Sequence, residues 1–273
     1  MNYIQRIDVF RPESTEGQSV IPHNTHYFNG YLVTSWYTDG IKIIDAHQPD
    51  NLVEVGSYDT YDGPSGGFNG CWGAYPFLPS GYILASDRST GLYVLDPDYV
   101  RASYLEGIVV DSVSGEPVKE ATVTIPSHNT TEENTNGDGE FSTGVSDVGA
   151  MEVIVDHPFY KTKTLQVDFT RGVTENITVE LVPLYDSYTI DGEVVDSQSM
   201  EALPGAVIDF DGNITSYSLA TDNGGQFTES VFEDTYDIYT GKWGHKESLK
   251  TVTLDQNKFL TIFAVAILAM FIM

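Results

Sequence analysis

Apolar and polar residues alternate in short runs along most of the chain. Residues 121–125 (ATVTI), 151–155 (MEVIV) and 176–181 (NITVEL) place apolar side chains at every second position, the period of a half-buried strand. Residues 31–36, 41–45, 82–86 and 92–96 read as strands of the same length, with more aromatic content. Turn clusters separate these runs, among them Ser114-Gly115-Glu116-Pro117 and Asn136-Gly137-Asp138-Gly139, where Gly and Asn supply positive φ. Outside the C-terminal run no segment sustains a 3.6-residue period. The pattern predicts an all-β protein.

Two internal repeats divide it. GIVVDSVSGEPVKEATVTI begins at Gly107 and GEVVDSQSMEALPGAVIDF at Gly192, 85 residues later. Seven identities recur in register, from Gly107, Val109, Val110, Asp111, Ser112, Ser114 and Glu116 to Gly192, Val194, Val195, Asp196, Ser197, Ser199 and Glu201. Further on, TNGDGEF answers TDNGGQF, and Tyr160-Lys161 aligns with His245-Lys246. About eighty residues of short strands and tight turns per copy imply a small antiparallel β-sandwich, present twice in tandem. Nearer the start, GYLVTSWYTDGIKIIDA from Gly30 matches GYILASDRSTGLYVLDP from Gly81, 51 residues on. Each unit is a strand, a polar turn ending in Gly40 or Gly91, and a second strand ending in Asp45 or Asp96. A repeat of this size built from hairpins is the mark of a β-propeller blade.

The chain of 273 residues carries 40 acidic and 13 basic side chains, a formal charge of −27. That field repels phosphate backbones, so nucleic acid is excluded as a partner. A single cysteine, Cys71, rules out an intrachain disulfide. The first residues lack an apolar stretch behind a basic start, so they are no secretory signal peptide. The other end is different: residues 259–273 read FLTIFAVAILAMFIM, without a charge. Fifteen residues fall short of the about 20 that span a bilayer. Three readings stand open for them: a membrane anchor, the last strand of the second sandwich, or a tail foreign to it after a frame disruption. The first copy closes with a regularly alternating strand, and the run lacks that alternation, so the boundaries are drawn at 1–103 for the blades, 104–184 and 185–258 for the sandwiches, the second incomplete, and 259–273 for a hydrophobic tail.

The residues also carry resemblances. HNTHYFNGYLVTSWYTDGIKIIDA, GGFNGCWGAYPFLPSGYILASD and TGLYVLD resemble the last blades of LVIVD-repeat β-propellers, and more narrowly the secreted choice-of-anchor B proteins. Both sandwich copies resemble the carboxypeptidase regulatory-like domain, a transthyretin-like (prealbumin-like) fold, through G-x-V-x-D-x-x-S-G-x-P-V and T-x-x-x-G-x-F. The second copy departs from that pattern at Met200 and Ala202, so a different turn is expected there. A propeller closes with at least about four blades, and two hairpins are visible. The expectation is therefore a fragment of a longer secreted bacterial surface protein, located outside the cell or on its surface.

Chemistry is sparse. His23 and His26 lie together before a strand, and two imidazoles three residues apart could share a metal ion; in extended backbone they point to opposite faces instead. Asp138 lies in an Asn-Gly-Asp-Gly turn whose acidic spacing loosely resembles a calcium loop, so calcium is the one cofactor left open. No G-x-S-x-G elbow, H-E-x-x-H helix or Cys-His pair is present. Trp36, Tyr37, Trp72 and Tyr75 could stack on a protein or polysaccharide ligand, with Trp243 as an outlying fifth. Sequons stand at Asn129, Asn176 and Asn213. The reading is a non-enzymatic, extracellular binding or structural protein. Its rivals are a metal-dependent hydrolase accessory chain built on His23 and His26, and a membrane-attached protein held by residues 259–273.

Overall fold

The computed structural model describes residues 4–12, 15, 17–126 and 131–266. All regular elements among them are strands, and the chain separates into two compact units, 1–183 and 184–273.

Unit one opens with two antiparallel meanders. The first joins β1 (Asn24–Phe28), β2 (Tyr31–Ser35), β3 (Ile41–Asp45) and β4 (Val53–Tyr58) in chain order, and the second joins β5 (Cys71–Tyr75), β6 (Ile83–Asp87) and β7 (Gly91–Leu95). Val33, Ile41, Ile43 and Val53 of the first sheet meet Cys71, Ala74, Ile83 and Ala85 of the second in one core, as period-2 alternation requires. Described residues ahead of β1 pack on the β2–β3 turn. Phe10 packs edge-on against Trp36 with ring centroids 6.1 Å apart, and Thr15 Oγ1 donates to Asp39 Oδ2 over 2.7 Å. Beneath it Lys42 is buried, its Nζ 3.3 Å from Glu54 and 3.7 Å from Asp39. Burial raises the Glu54 pKa, and the Lys42 charge opposes the rise. Among the described residues the meanders close into neither a barrel nor a propeller.

β8 (Ser103–Asp111) carries the chain into the first sandwich and belongs to two cores at once. Tyr104 packs with the meanders, whereas its neighbour Leu105 packs with the sandwich, and both are fully buried. The sandwich adds β9 (Thr122–Ile125), β10 (Thr131–Asn134), β11 (Glu140–Val145), β12 (Gly149–Asp156), β13 (Lys163–Phe169) and β14 (Thr174–Leu181). One sheet runs β10-β9-β12-β13, the other β11-β8-β14, with β8 and β14 parallel. Asp45, 0 % exposed, ties the meander to this domain. Its carboxylate accepts from Ala102 N (2.7 Å), Arg101 Nε (3.1 Å) and His47 N (3.0 Å), and lies 2.6 Å from His47 Nδ1. Burial alone would raise its pKa; the hydrogen bonds from His47 and Ala102 outweigh that and lower it. Gln48 Nε2 to Thr174 Oγ1 (2.8 Å) and Asn51 Nδ2 to Thr143 O (3.0 Å) extend the join.

Unit two repeats the sandwich strand for strand: β15 (Ser187–Asp196), β16 (Val207–Asp211), β17 (Ser216–Ala220), β18 (Gln226–Phe232), β19 (Asp234–Gly241), a short β20 (His245–Lys246), β21 (Ser248–Leu254) and β22 (Lys258–Ala266). Its sheets run β17-β16-β19-β21 and β18-β15-β22-β20. β22 pairs parallel to β15 as β14 does to β8. The apolar run is therefore the closing strand through Ala266, and the second sandwich is complete in its strand order, contrary to the boundary expected at residue 258. Leu260, Ile262 and Ala264 point into the core, while Phe259, Phe263 and Val265 are exposed. Alternation is present in burial but hidden in composition, because the outward positions are apolar too. Residues 267–273, the rest of the expected tail, lie outside the described residues. No helix among the described residues is long and apolar enough to cross a membrane.

The expected departure at Met200 is not found. Asp111 Oδ1 accepts from Val113 N and Ser114 N, and Asp196 Oδ1 from Gln198 N and Ser199 N. The next amide, of Gly115 or Met200, then donates back to the aspartate carbonyl, over 2.9 and 3.0 Å. Gly115 has φ 77° and Met200 φ 61°. The aspartate clamp holds a left-handed position even where the side chain disfavours it.

Two outcomes test these joins. Because the Asp45 pKa is lowered in the folded chain, its contribution is complete above the ordinary value of 3.8 and is lost as pH falls below it. Urea unfolding between pH 6 and 3 should therefore show a steeper loss for the wild type than for Asp45→Asn, which should lose about 2 kcal/mol at neutral pH. Ile262→Asn should destabilise unit two by about 3–5 kcal/mol, whereas Phe263→Asn, on the exposed side of the same strand, should cost under about 1 kcal/mol.

Candidate functional site

The candidate aromatic residues divide by burial. Trp36 and Tyr37 are each 7 % exposed and serve the core, whereas Trp72 and Tyr75 are 51 % and 47 % exposed. The difference starts in the backbone of β5. Cys71 opposes Asp87 and Gly73 opposes Ser86, so Trp72 is an extra residue in a β-bulge, which re-aims a side chain outward. The bulge is anchored on both sides. Tyr37 and Cys71 exchange backbone hydrogen bonds of 3.0 and 2.7 Å, and the Trp72 carbonyl accepts from Ser35 Oγ (3.3 Å) and Asn24 Nδ2 (3.4 Å). Gly70, at φ 86°, permits the approach, because a Cβ there would lie 2.3 Å from the Tyr37 carbonyl.

Ring contacts extend from this strand in two arcs. Phe68, Tyr37, His23 and Trp72 follow one another with centroids 5.0 to 5.5 Å apart. Tyr75 meets Phe77 at 5.4 Å, and Phe77 meets His26 at 5.5 Å and Phe28 at 5.8 Å. Phe68 and Phe77 are themselves exposed, and sequence reasoning missed both, since neither falls in a strand pattern. Ring contacts, edge-to-face except for the tilted His23–Trp72 pair, fix ring planes before any ligand arrives, leaving four large exposed rings on β5 and its flanking loops.

His23 and His26 engage separate aromatic partners, and nothing brings the two imidazoles onto a shared ligand. Asp138 sits exposed in the turn between β10 and β11. In that turn Asn136 Oδ1 accepts from Asp138 N and Glu140 N, both 2.9 Å, and Asp222 Oδ1 repeats the arrangement with Gly224 N and Gln226 N. The spacing that suggested calcium thus serves hairpin closure. Among the described residues no three of His, Cys, Asp and Glu are grouped to hold a metal. Cys71 is buried and its thiol pKa is pushed up to about 11 by desolvation, away from nucleophile chemistry.

Two further features were not legible. A cleft of about 930 Å³ lies beside β4, with Asp50, Glu54, Asn134, Glu140 and Arg11 in its walls. Its residues come from segments some ninety positions apart, so no local motif announced it. In unit two, His245 Nε2 lies 3.0 Å from Asp196 Oδ2, where the first copy has Tyr160 in the histidine's place. The other imidazole nitrogen has no partner, so no Ser-His relay forms. Hydrogen bonds from the amides of Ser199 and Gln198, then from His245, lower the Asp196 pKa to about 2. Of the sequons, Asn176 and Asn213 are exposed and Asn129 lies outside the described residues.

Residues 104–182 match the carboxypeptidase regulatory-like domain. The match spans β8 to β14, the first sandwich. No curated protein matches the chain. Among solved structures, the shaft pilin SpaA from Lactobacillus rhamnosus GG aligns with 10 % identity and a TM-score of 0.37, over 62 % of this chain and 98 % of the pilin. The Bacillus anthracis TIE protein aligns with 10 % identity and a TM-score of 0.31, over 91 % and 57 %. GBS52, the minor pilin of Streptococcus agalactiae, aligns with 12 % identity and a TM-score of 0.25, over 60 % and 96 %. At these scores the likeness fixes neither topology nor function.

The division of the aromatics is measurable. In variants that keep one tryptophan each, acrylamide should quench Trp243 (97 % exposed) and Trp72 (51 % exposed) readily and Trp36 (7 % exposed) poorly. Equal quenching of Trp36 and Trp72 would show that the bulge does not lift Trp72 from the core.

Proposed function

We propose that the chain is a non-enzymatic, extracellular binding module, in which the two meanders are consecutive LVIVD-type propeller blades and the tandem sandwiches are spacers of the carboxypeptidase regulatory-like kind. The observation that carries the reading is the set of exposed rings on β5 and its flanking loops, Trp72, Tyr75, Phe68 and Phe77, held by a bulge and by ring contacts. Large apolar rings fixed at a surface are costly to leave in water and gain most from a flat partner. The ligand class is a polysaccharide, whose C–H faces stack on such rings without needing a charge.

The four-stranded first meander supports the blade reading, as does the sequence likeness of the β2–β3 and β6–β7 hairpins. The family match over residues 104–182, and its repetition in unit two, support the spacer reading, since a domain of this kind brings no catalytic machinery of its own.

A glycan array probed with the whole chain should give hits that Trp72→Ala and Tyr75→Ala each weaken by about tenfold or more, with Trp243→Ala without effect. Binding that survives both substitutions on β5, or hits confined to peptides on a parallel peptide array, would refute the polysaccharide assignment.

A further inference from the structure

The second sheet stops at β7, and nothing among the described residues pairs with that strand's outer edge. The internal repeat shows what is missing. The β2–β3 and β6–β7 hairpins recur 51 residues apart, so the place of Val53, where β4 begins, falls to Tyr104 of β8. β3 hands its edge to β4. β7 does not hand its own to β8, because β8 pairs with β11 and β14 in the sandwich.

The exposed edge is apolar, whereas of the other uncharged edges β1 and β17 are mostly polar and β5 carries a bulge. Gly91–Leu95 contains no charge and no proline, and Leu92 and Val94 are 67 % and 60 % exposed. They share the outward face of the sheet with Tyr75 and half-buried Leu84, which lie in register on β5 and β6. Natural sheets protect their edges with charges, prolines or bulges. In this chain β10 carries Glu132 and Glu133, β13 carries Lys163 and Asp168, and β4 carries Glu54 beside a register shift. β7 has none of these devices.

We propose that β7 pairs antiparallel with β7 of a second copy of this chain, about a two-fold axis through Tyr93. In that register Tyr93 faces itself, Leu92 faces Val94 of the other copy, Val94 faces Leu92, and Gly91 faces Leu95. All facing positions are free of charge, and cross-strand apolar pairs stabilise such a ladder. The flanks decide for self-pairing over a foreign strand. Arg88 lies in the turn ahead of β7, and exposed Asp96 and Asp98 lie behind it. Antiparallel pairing places the Arg88 turn of each copy beside Asp96 and Asp98 of the other, so opposite charges meet twice by symmetry. One Arg88 nitrogen already donates to the Phe68 carbonyl, and the guanidinium keeps further donors free. The two three-stranded sheets then become one continuous sheet. The contact is small, which makes the association weak and reversible. It is independent of the polysaccharide reading.

Sedimentation velocity of the whole chain from about 5 to about 200 μM should show a concentration-dependent monomer–dimer equilibrium. Val94→Lys, a change at an exposed side chain, should leave the circular dichroism unchanged and weaken the dimer by about tenfold or more. Arg88→Asp should weaken it as well, and Arg88→Asp combined with Asp98→Arg should restore it. A chain carrying Leu92→Cys and Val94→Cys should oxidise to a covalent dimer, to which buried Cys71 contributes nothing. Trp72→Ala should leave dimerisation intact, which separates this outcome from the array experiment. A wild type that stays monomeric throughout, or a dimer indifferent to Val94→Lys, would overturn the proposal.

Discussion

One buried carboxylate decides how the first unit is assembled. Asp45 ends β3 and receives the amide of Ala102, the guanidinium of Arg101 and the amide of His47, all while shut off from solvent. A buried aspartate without such donors would cost several kcal/mol. With them, it fixes the point at which the chain leaves the meanders. Ala102 is held at the end of β3, so β8 starts beside the first sheet, and it runs between β11 and β14 rather than along β7. The same strand then alternates between two cores, Tyr104 facing one and Leu105 the other. The pairing of β8 with the sandwich and the unmet edge of β7 go together, since one strand cannot serve both sheets.

The duplicated sandwich shows which features of a small β-domain tolerate sequence change. Buried Thr135 and Thr221 play one role in their copies: each hydroxyl accepts from the amide of Ala121 or Ala206 and donates to the carbonyl of Val118 or Leu203. The aspartates at 111 and 196 hold identical turns although glycine has become methionine in the second. Side-chain-to-backbone hydrogen bonds thus preserve the frame while the surface drifts. The drift is visible at Tyr160 and His245, where one copy makes a bridge to Pro183 and the other adds a hydrogen-bonding contact to Asp196.

What the sequence disclosed follows the same physics. Strand alternation, the 85-residue repeat and the hairpin repeat were legible because each depends on local period and turn chemistry, and residues such as Val109, Asp111 and Ser114 keep both. β22 was harder. Its polarity pattern is masked by Phe259, Phe263 and Val265 on the solvent side, so only its pairing with β15 identifies it as a strand. Among the candidate binding residues, Trp36 and Trp72 look alike in sequence. A single inserted residue in β5 and a covering segment over Trp36 separate them, and both effects come from pairing with distant chain. The expected metal ligands failed to gather for the converse reason: His23 and His26 found aromatic partners on β5 and the loop after it, which a one-dimensional spacing rule does not see.

The second meander is where the molecule's unmet contacts concentrate. Its sister sheet has one face on the shared core and on the other buries Thr34, Lys42 and Ile44, although Tyr27 of its edge strand stays exposed. The β5–β7 sheet has only the shared core. Its outer face presents Tyr75, Leu92 and Val94, and its bulge presents Trp72. Covering that edge within the chain would need a further strand along β7, and β8, the next in sequence, is already paired on both sides by β11 and β14. With β8 committed to β11 and β14, the apolar edge of β7 stays unpaired among the described residues, and a second copy of the chain could satisfy there what the chain itself does not.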